Sequence, residues 1–334
     1  MIVADFREVK MENRNQSIDL IKIIAMIGVM ALHTCINRTN ELPGFFLSRT
    51  FGLSIPLFFM VSGFLMQGRT PNWEYSAKKI LGILRFTFII CISFWLIHSI
   101  RHGFDFMGFV KLWGGSFVQR GTFGLFWYFG AMILLYMILP YFNKMENRKP
   151  YFLPGIIFLL LGFPFCTFMA DYTCDFESTY ILQTFRIWYW LLFFSLGQMF
   201  RKLNLGGHML PLNFIVILVT LLAMLIFVWF SRQYLSGIEY FFGSTLMILY
   251  AFVVFGYIIQ KVKSESMLIR KLSPCFLPSY VIHSFVITYV LKLNITSGLG
   301  VFAVWGDFLL VTCITLSVSL LIMKLPYMDK VFKV

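Results

Sequence analysis

Residues 17–36 read SIDLIKIIAMIGVMALHTCI, and this stretch decides which kind of protein the chain forms. As a helix it is about 30 Å long, which matches the hydrocarbon thickness of a bilayer. The run nevertheless contains Asp19, Lys22 and His33. Lys22 and His33 are about 16 Å apart along a helix and about 20° apart around it, with Asp19 within about 40° of the same stripe. Because ionisable groups in hydrocarbon are costly, this shared stripe predicts a functional site.

The composition indicates that most of the chain lies in a membrane. Hydrophobic residues make up 59% and charged residues 13%, whereas soluble proteins have about 25% charged residues. The mean hydropathy is +0.80. Repeated apolar stretches of about 20 residues predict an all-α, polytopic membrane protein whose helices lie in a lipid bilayer. We expect about ten transmembrane helices, at residues 17–36, 48–67, 80–100, 124–142, 152–170, 185–200, 211–230, 238–260, 274–292 and 299–323.

The distribution of Lys and Arg predicts the orientation. With the N-terminus in the cytoplasm, the inner segments hold 18 of these residues and the outer segments hold 8. This excess predicts that both the N- and the C-terminus are cytoplasmic. It also explains most of the net charge of +13, so we expect no nucleic-acid partner. The predicted parts are a cytoplasmic segment (1–16) without a cleavable signal peptide, a membrane domain (17–323) and a cytoplasmic tail (324–334).

Three sets of polar residues lie within apolar runs, and each allows a structural interpretation beside a functional one. The Asp19–Lys22 pair would also suit an interfacial anchor, because lysine side chains snorkel to the membrane surface. Ser62 is followed by Gly63, and packing is favoured over a role as nucleophile because small residues allow helices to approach closely. His283 lies near the middle of its span, either as a core histidine with a local partner or as a catalytic group. Tyr280, one turn away, is the expected partner.

Other candidates lie near the predicted outer ends of spans. Trp127 and Tyr128 suit an aromatic belt or, alternatively, a platform on which a sugar stacks. Arg186 either snorkels or helps to bind an acceptor. The six cysteines have no metal-ligand spacing, so we expect no metal site. Free thiols are favoured over a disulfide between Cys35 and Cys174.

Several motifs, in their order along the chain, resemble those of integral-membrane acyltransferase family 3. The first motif is an arginine followed, after two residues, by Ser-Ile-Asp and an apolar run that ends in histidine. The others are PLFF-x-x-SGFL, Trp-Tyr, FFxxG and Ser-Tyr-x-Ile-His. The matching stretches are NRNQSIDLIKIIAMIGVMALH (13–33), PLFFMVSGFLM (56–66), FWYFGAMILLYMILP (126–140), FFSLGQMFRK (193–202) and PSYVIHSFVI (278–287). The resemblance covers nearly the whole chain.

This resemblance implies an enzyme that transfers an acyl group, most often acetyl, from a cytoplasmic acyl-CoA to an extracytoplasmic polysaccharide or lipid-linked glycan. Acetyl-CoA is then a substrate rather than a bound cofactor, and its phosphates suit the cations near Asp19, Lys22 and Arg69. His33 falls on the family's histidine, as general base or covalent acyl carrier, with His283 as second catalytic candidate. Lys22 stands where the family has arginine, so positive charge is kept but the planar two-pronged donor is lost.

Three alternatives remain at the level of sequence. Succinyl transfer to such a glycan would keep the same chemistry with another acyl group. A multi-pass transporter of a glycan or lipid would perform no acyl transfer. A catalytically inactive membrane receptor or scaffold would not either, although the presence of His33 speaks against it. The absence of an internal repeat in the sequence speaks against the transporter.

The charge distribution leads to a topology prediction. Single cysteines replacing Lys111 and Arg38 should react with a membrane-impermeant maleimide in intact cells, whereas cysteines replacing Lys144 and Lys263 should react only after lysis. The measurement is labelling of each variant in a background without the native cysteines. Labelling of positions 111 and 144 from the same side would contradict the proposed orientation.

Overall fold

The computed structural model describes residues 15–39, 41–66, 72–149, 152–174, 180–205, 213–231 and 242–332, with backbone only for residues 166–174 and 231. These residues form α-helices joined by short 3₁₀ segments, and no strand occurs among them. The helices are α1 (Gln16–Cys35), α2 (Leu42–Phe51), α3 (Ser54–Met66), α4 (Trp73–His102), α5 (Phe106–Ser116), α6 (Trp127–Arg148), α7 (Phe152–Cys174), α8 (Ile187–Lys202), α9 (Phe214–Ser231), α10 (Thr245–Lys261), α11 (Met267–Leu272), α12 (Phe276–Leu293), α13 (Ala303–Ile322) and α14 (Met328–Val331).

Six helical segments of the described chain are long and apolar enough to cross a bilayer, so the chain is a multi-pass membrane protein. They are Gln16–Arg38, Leu42–Met66, Trp73–His102, Gly124–Arg148, Met267–Leu293 and Ser297–Ile322. Helices α7 to α10 overlap the four other predicted spans but contain shorter described apolar stretches or charged ends. The all-helical class is therefore confirmed, while the count of ten spans and the orientation of the termini stay predictions.

Side chains at several helix starts explain where those helices begin. The Asn15 side chain accepts the backbone N–H of Ile18 at the start of α1, at 3.2 Å. Asn72 does the same for α4, with its side-chain oxygen 2.8 Å from the amide of Tyr75. Such caps satisfy amides that the first helical turn leaves without partners, which matters where water is scarce.

Helix α1 is the centre of the bundle. It packs against α2, α3, α10, α11, α12 and α13. Within the membrane-spanning segment Gln16–Arg38, 72% of the most apolar stretch is buried. We call the side of the bundle where α1 begins the Lys22 side, and the opposite side the His33 side. The hydroxyl of Ser17 donates to the carbonyl of Val262, so α10 ends on the Lys22 side. Polar groups carried by α1 therefore face protein rather than lipid, the arrangement that a bilayer favours.

Glycines set the distance between the central helices. A Cβ on Gly63 of α3 would overlap the carbonyl oxygen of Phe194 in α8, and one on Gly197 would overlap the carbonyl oxygen of Met60. A Cβ on Gly28 of α1 would likewise overlap the side chain of Ser54 at the start of α3. The close approach expected from Ser62-Gly63 is thus present, and it explains why the SGFL and FFSLG segments contain glycine.

A buried ion pair joins the first and last membrane helices. Arg38, just after α1, donates from Nη1 to Oδ2 of Asp307 in α13 at 3.0 Å, and the hydroxyl of Thr296 donates to Oδ1 at 2.6 Å. The side chain of Asp307 is 2% exposed and that of Arg38 is 29% exposed. Both carboxylate oxygens are therefore satisfied, which an acid in a membrane domain requires. This bond also fixes the start of α13 on the His33 side.

We expect Asp307→Asn to destabilise the protein. Removing one partner of a buried ion pair lowers the free energy of unfolding by roughly 3–5 kcal/mol. Because Arg38 is partly exposed, we expect a loss of about 3 kcal/mol or less here. The measurement is the thermal midpoint of the detergent-solubilised protein, which should fall by several degrees. Lys78→Ala is the matched control, because Lys78 and Glu74 form an ion pair at 2.6 Å whose side chains are 73% and 71% exposed. Equal midpoints for the two variants would contradict the structural role of Asp307.

Candidate active site

The polar stripe of α1 begins with a close acid–base pair. Asp19 Oδ1 lies 3.9 Å from Lys22 Nζ, and the Asp19 side chain is 6% exposed whereas that of Lys22 is 28% exposed. Lysine is thus the member of the pair that reaches open space. Its long apolar stem spans the wall of the bundle, and its charged head stands where an anionic group could meet it.

Lys22 lines a cavity of about 380 Å³. The wall comes from α1, α3, α4, α6, the segment before α12, the first turn of α12 and, beyond α14, Phe332. Its surface is mainly apolar, and among the described residues its charged side chains are Lys22 and Lys79 with no carboxylate. A mainly apolar cavity whose charged side chains are two lysines suits a ligand with an anionic head and an uncharged arm.

Ser62 and Tyr128 meet in the wall of this cavity. The Ser62 hydroxyl donates to the carbonyl of Phe58 at 3.0 Å and lies 3.3 Å from the Tyr128 hydroxyl. A carbonyl and a phenol are poor bases, so these contacts do not activate Ser62 as a nucleophile. Tyr128 was expected in an aromatic belt or sugar platform; instead it lines the cavity.

The two histidines that sequence analysis singled out meet inside the bundle. The ring centroids of His33 and His283 are 5.2 Å apart, although 250 residues separate them in the chain. His283 is 1% exposed, whereas His33 is half-buried. Neither histidine is among the described residues that line the cavity, so the pair lies outside it. Because His33 follows Lys22 by about 16 Å along α1, cavity and histidines are arranged one after the other along this helix.

The hydrogen bonds of His283 fix its tautomer. Nδ1 lies 2.8 Å from the carbonyl oxygen of Tyr280 and 3.2 Å from that of Ser279. A carbonyl only accepts, so Nδ1 carries the proton and Nε2 carries the lone pair. Nε2 is buried and has no hydrogen-bond partner within the described ranges. Nε2 is therefore a hydrogen-bond acceptor that a donor group beside the second imidazole could use.

Tyr280 is the partner of His283, but through its main chain. The sequence predicted Tyr280 as the partner, and its carbonyl oxygen accepts from the imidazole. The Tyr280 hydroxyl donates to the carbonyl of Leu125 on the neighbouring segment. The side-chain bond anchors α12 to the segment before α6, while the carbonyl holds the imidazole.

Trp127 and Arg186 lie away from both the cavity and the histidines. Trp127 is 9% exposed and packs on Trp190 at 5.2 Å between ring centroids, so the belt or exposed platform expected for it is absent. Arg186 is 1% exposed rather than snorkelling, and its Nε and Nη2 donate to the carbonyl of Ile181 at 3.0 and 2.9 Å. Both side chains are therefore packed inside the protein and not at the membrane surface that the sequence predicted for them.

Some predicted site residues are not described by the structure, and some residues of the cavity were not predicted. Arg69 lies outside the described residues. Lys79 and Tyr136 line the cavity but were not among the predicted site residues. Lys79 and its neighbour Lys78 were counted only among the inner basic residues that predict the orientation. Cys35 is a buried free thiol, and the side chain of Cys174 lies outside what the structure describes.

A family model described as acyltransferase domain matches residues 15–324, nearly the whole chain. The matched range includes Lys22, both histidines and the cavity wall apart from Phe332. No curated protein sequence and no solved structure matches the chain.

Proposed function

The chain belongs to this acyltransferase family, and from that premise we propose that it transfers an acyl group, in the first place acetyl, from a cytoplasmic acyl-CoA to a hydroxyl of an exported polysaccharide or lipid-linked glycan. The membrane would be the inner or plasma membrane. The observation that carries the proposal is the order of features along α1: a cavity with two lysines, then a histidine pair towards the opposite side.

The donor would enter from the Lys22 side. Coenzyme A has phosphates at one end and an uncharged arm that ends in the thioester at the other, which corresponds to the charge distribution of the cavity. Lys22 and Lys79 would contact phosphate, because an ammonium group binds it as a point charge without needing the planar geometry of arginine. This chemistry explains why lysine can replace the family's arginine at position 22.

The histidine pair would perform the transfer. With His33 as general base, the hydroxyl oxygen of the acceptor attacks the thioester carbonyl carbon; a C–O bond forms, the C–S bond breaks, and the hydroxyl proton passes through the imidazole to the leaving thiolate. With His33 as carrier, a ring nitrogen first attacks the thioester carbonyl carbon; the C–N bond forms, the C–S bond breaks, and the thiolate leaves with the proton that the imidazole loses. The acceptor hydroxyl then attacks the acyl group; the C–O bond forms, the C–N bond breaks, and the hydroxyl proton returns to the imidazole. In both routes His283 Nε2 would hold the proton temporarily on its way from His33 to the thiolate.

His33→Gln should reduce acyl transfer by at least about 10²-fold, the low end for loss of a positioned general base. The protein should still insert and fold, since His33 is only half-buried. The measurement is incorporation of radiolabelled acetyl into the glycan fraction, normalised to protein in the membrane. His98→Gln is the matched control, because His98 is exposed and stacks on Phe94 and His102. Wild-type incorporation by His33→Gln would refute the catalytic role and favour the transporter.

Two substitutions of His283 separate positioning from packing. Asn at this position retains a donor for the Tyr280 carbonyl but lacks Nε2, whereas Gln retains a polar group near the place of Nε2. If Nε2 takes up a proton, both variants should lower kcat at saturating donor and alter its pH profile, because neither amide is basic. A wild-type kcat and pH profile in either variant would exclude this role.

Lys22→Met should raise the KM for acetyl-CoA by about 10- to 100-fold, the range expected for loss of one charged contact. Lys22→Arg should keep a KM near that of the wild type, because it restores the positive charge. The measurement is initial rate against acetyl-CoA concentration in inverted membrane vesicles. An unchanged KM for Lys22→Met at a normal protein level would mean that Lys22 is an interfacial anchor.

A further inference from the structure

The chain turns back towards the bundle after the last membrane helix. We call residues 323–332 the C-terminal tail. After α13 ends at Ile322, the amide of Leu325 donates to the carbonyl of Ile322 at 3.0 Å. Tyr327 then adopts φ +66°, a left-handed conformation that is unusual for a bulky residue, and the short helix α14 follows. Lys330 Nζ lies 5.2 Å from the centroid of the Tyr327 ring, a cation–π contact that stabilises this reversal.

The reversed tail brings Phe332 into the aromatic interior. The Phe332 ring lies 5.9 Å from the ring of Phe86 in α4, edge to face. Phe86 is 1% exposed and packs in turn on Phe126 and Phe129, at 6.2 and 5.6 Å. These separations are typical of packed aromatic pairs. Phe332 is thus anchored on buried rings, although it follows the membrane helices in the sequence.

Phe332 is half-buried and lines the same cavity as Lys22 and Lys79. About 380 Å³ of space is present with the Phe332 ring in place. The ring therefore bounds the cavity and does not fill it. A plug would occupy the volume beside the lysines, whereas a wall leaves that volume open and gives an entering ligand an apolar surface to contact.

We propose that Phe332 is a donor-binding residue and that the C-terminal tail forms one wall of the acyl-CoA site. This inference rests on the proposed function, which supplies the donor. The aromatic ring would contact the uncharged arm of the donor while the lysines contact its phosphates. Without the ring, the wall would open and water would reach an apolar surface that the bound donor otherwise covers.

The test is the affinity of the purified, full-length protein for acetyl-CoA, measured by isothermal titration calorimetry in detergent. Phe332→Ala should raise Kd by roughly 10- to 30-fold, as expected for truncation of a central aromatic contact. Phe332→Leu, which restores much of the apolar surface, should keep Kd within a few-fold of wild type. Leu325→Ala is the matched control in the same tail, because Leu325 is 56% exposed and does not line the cavity.

A kinetic measurement distinguishes binding from general damage to the fold. For Phe332→Ala, the KM for acetyl-CoA should rise with Kd, while kcat at saturating donor should stay within about threefold of wild type because the histidine pair is intact. A truncated chain that ends at Pro326 should show the same increase in Kd. If Phe332→Ala is poorly folded by size-exclusion chromatography, the comparison of Phe332→Leu with the truncated chain decides.

The outcomes separate this inference from the function on which it rests. A wild-type protein that binds no acetyl-CoA would overturn both. A wild-type protein that binds acetyl-CoA, with Kd unchanged in Phe332→Ala and in the truncated chain, would overturn the role of the tail alone. Tighter binding after either change would also overturn it, since it would identify Phe332 as a plug.

Discussion

The structure depends on the requirement that polar groups within a bilayer find their partners inside the protein. Helix α1 meets this requirement by lying at the centre of the bundle, with six other helices against it. In this position Asp19 is close to Lys22, and His33 is close to His283. The same residues on a peripheral helix would face lipid. The central placement therefore stabilises the bundle and also brings the candidate reactive groups together.

Close helix packing makes this arrangement possible. The glycines at the contact of α3 with α8 leave main-chain atoms of one helix against the other, and Gly28 of α1 makes room for the side chain of Ser54 at the start of α3. Aromatic side chains fill the remaining space, as in the stacked pair of Phe59 and Trp190 with ring centroids 4.7 Å apart. A rigid contact of this kind would hold the cavity wall and the histidines at fixed distances, which is what a transfer reaction needs.

The sequence predicted the helical membrane class and the stripe on α1, because apolar length and helical periodicity are local properties. It did not predict that His33 would meet His283, since that contact depends on how distant helices pack. The error at Trp127 has a similar cause: hydropathy indicates a residue's depth in the membrane but not whether it faces lipid or protein. Lys79 and Phe332 were missed because neither lies in a polar stripe, and only the folded chain brings them to the cavity.

The ion pair between Arg38 and Asp307 has a consequence for the order in which the protein is made. Arg38 follows α1 and Asp307 belongs to α13, so the bond forms only after α13 has been synthesised. Phe332, which lines the cavity, follows α13 in the chain. A nascent chain that lacks α13 therefore has neither the ion pair between Arg38 and Asp307 nor a complete cavity wall. Translation intermediates of that length consequently lack the finished site.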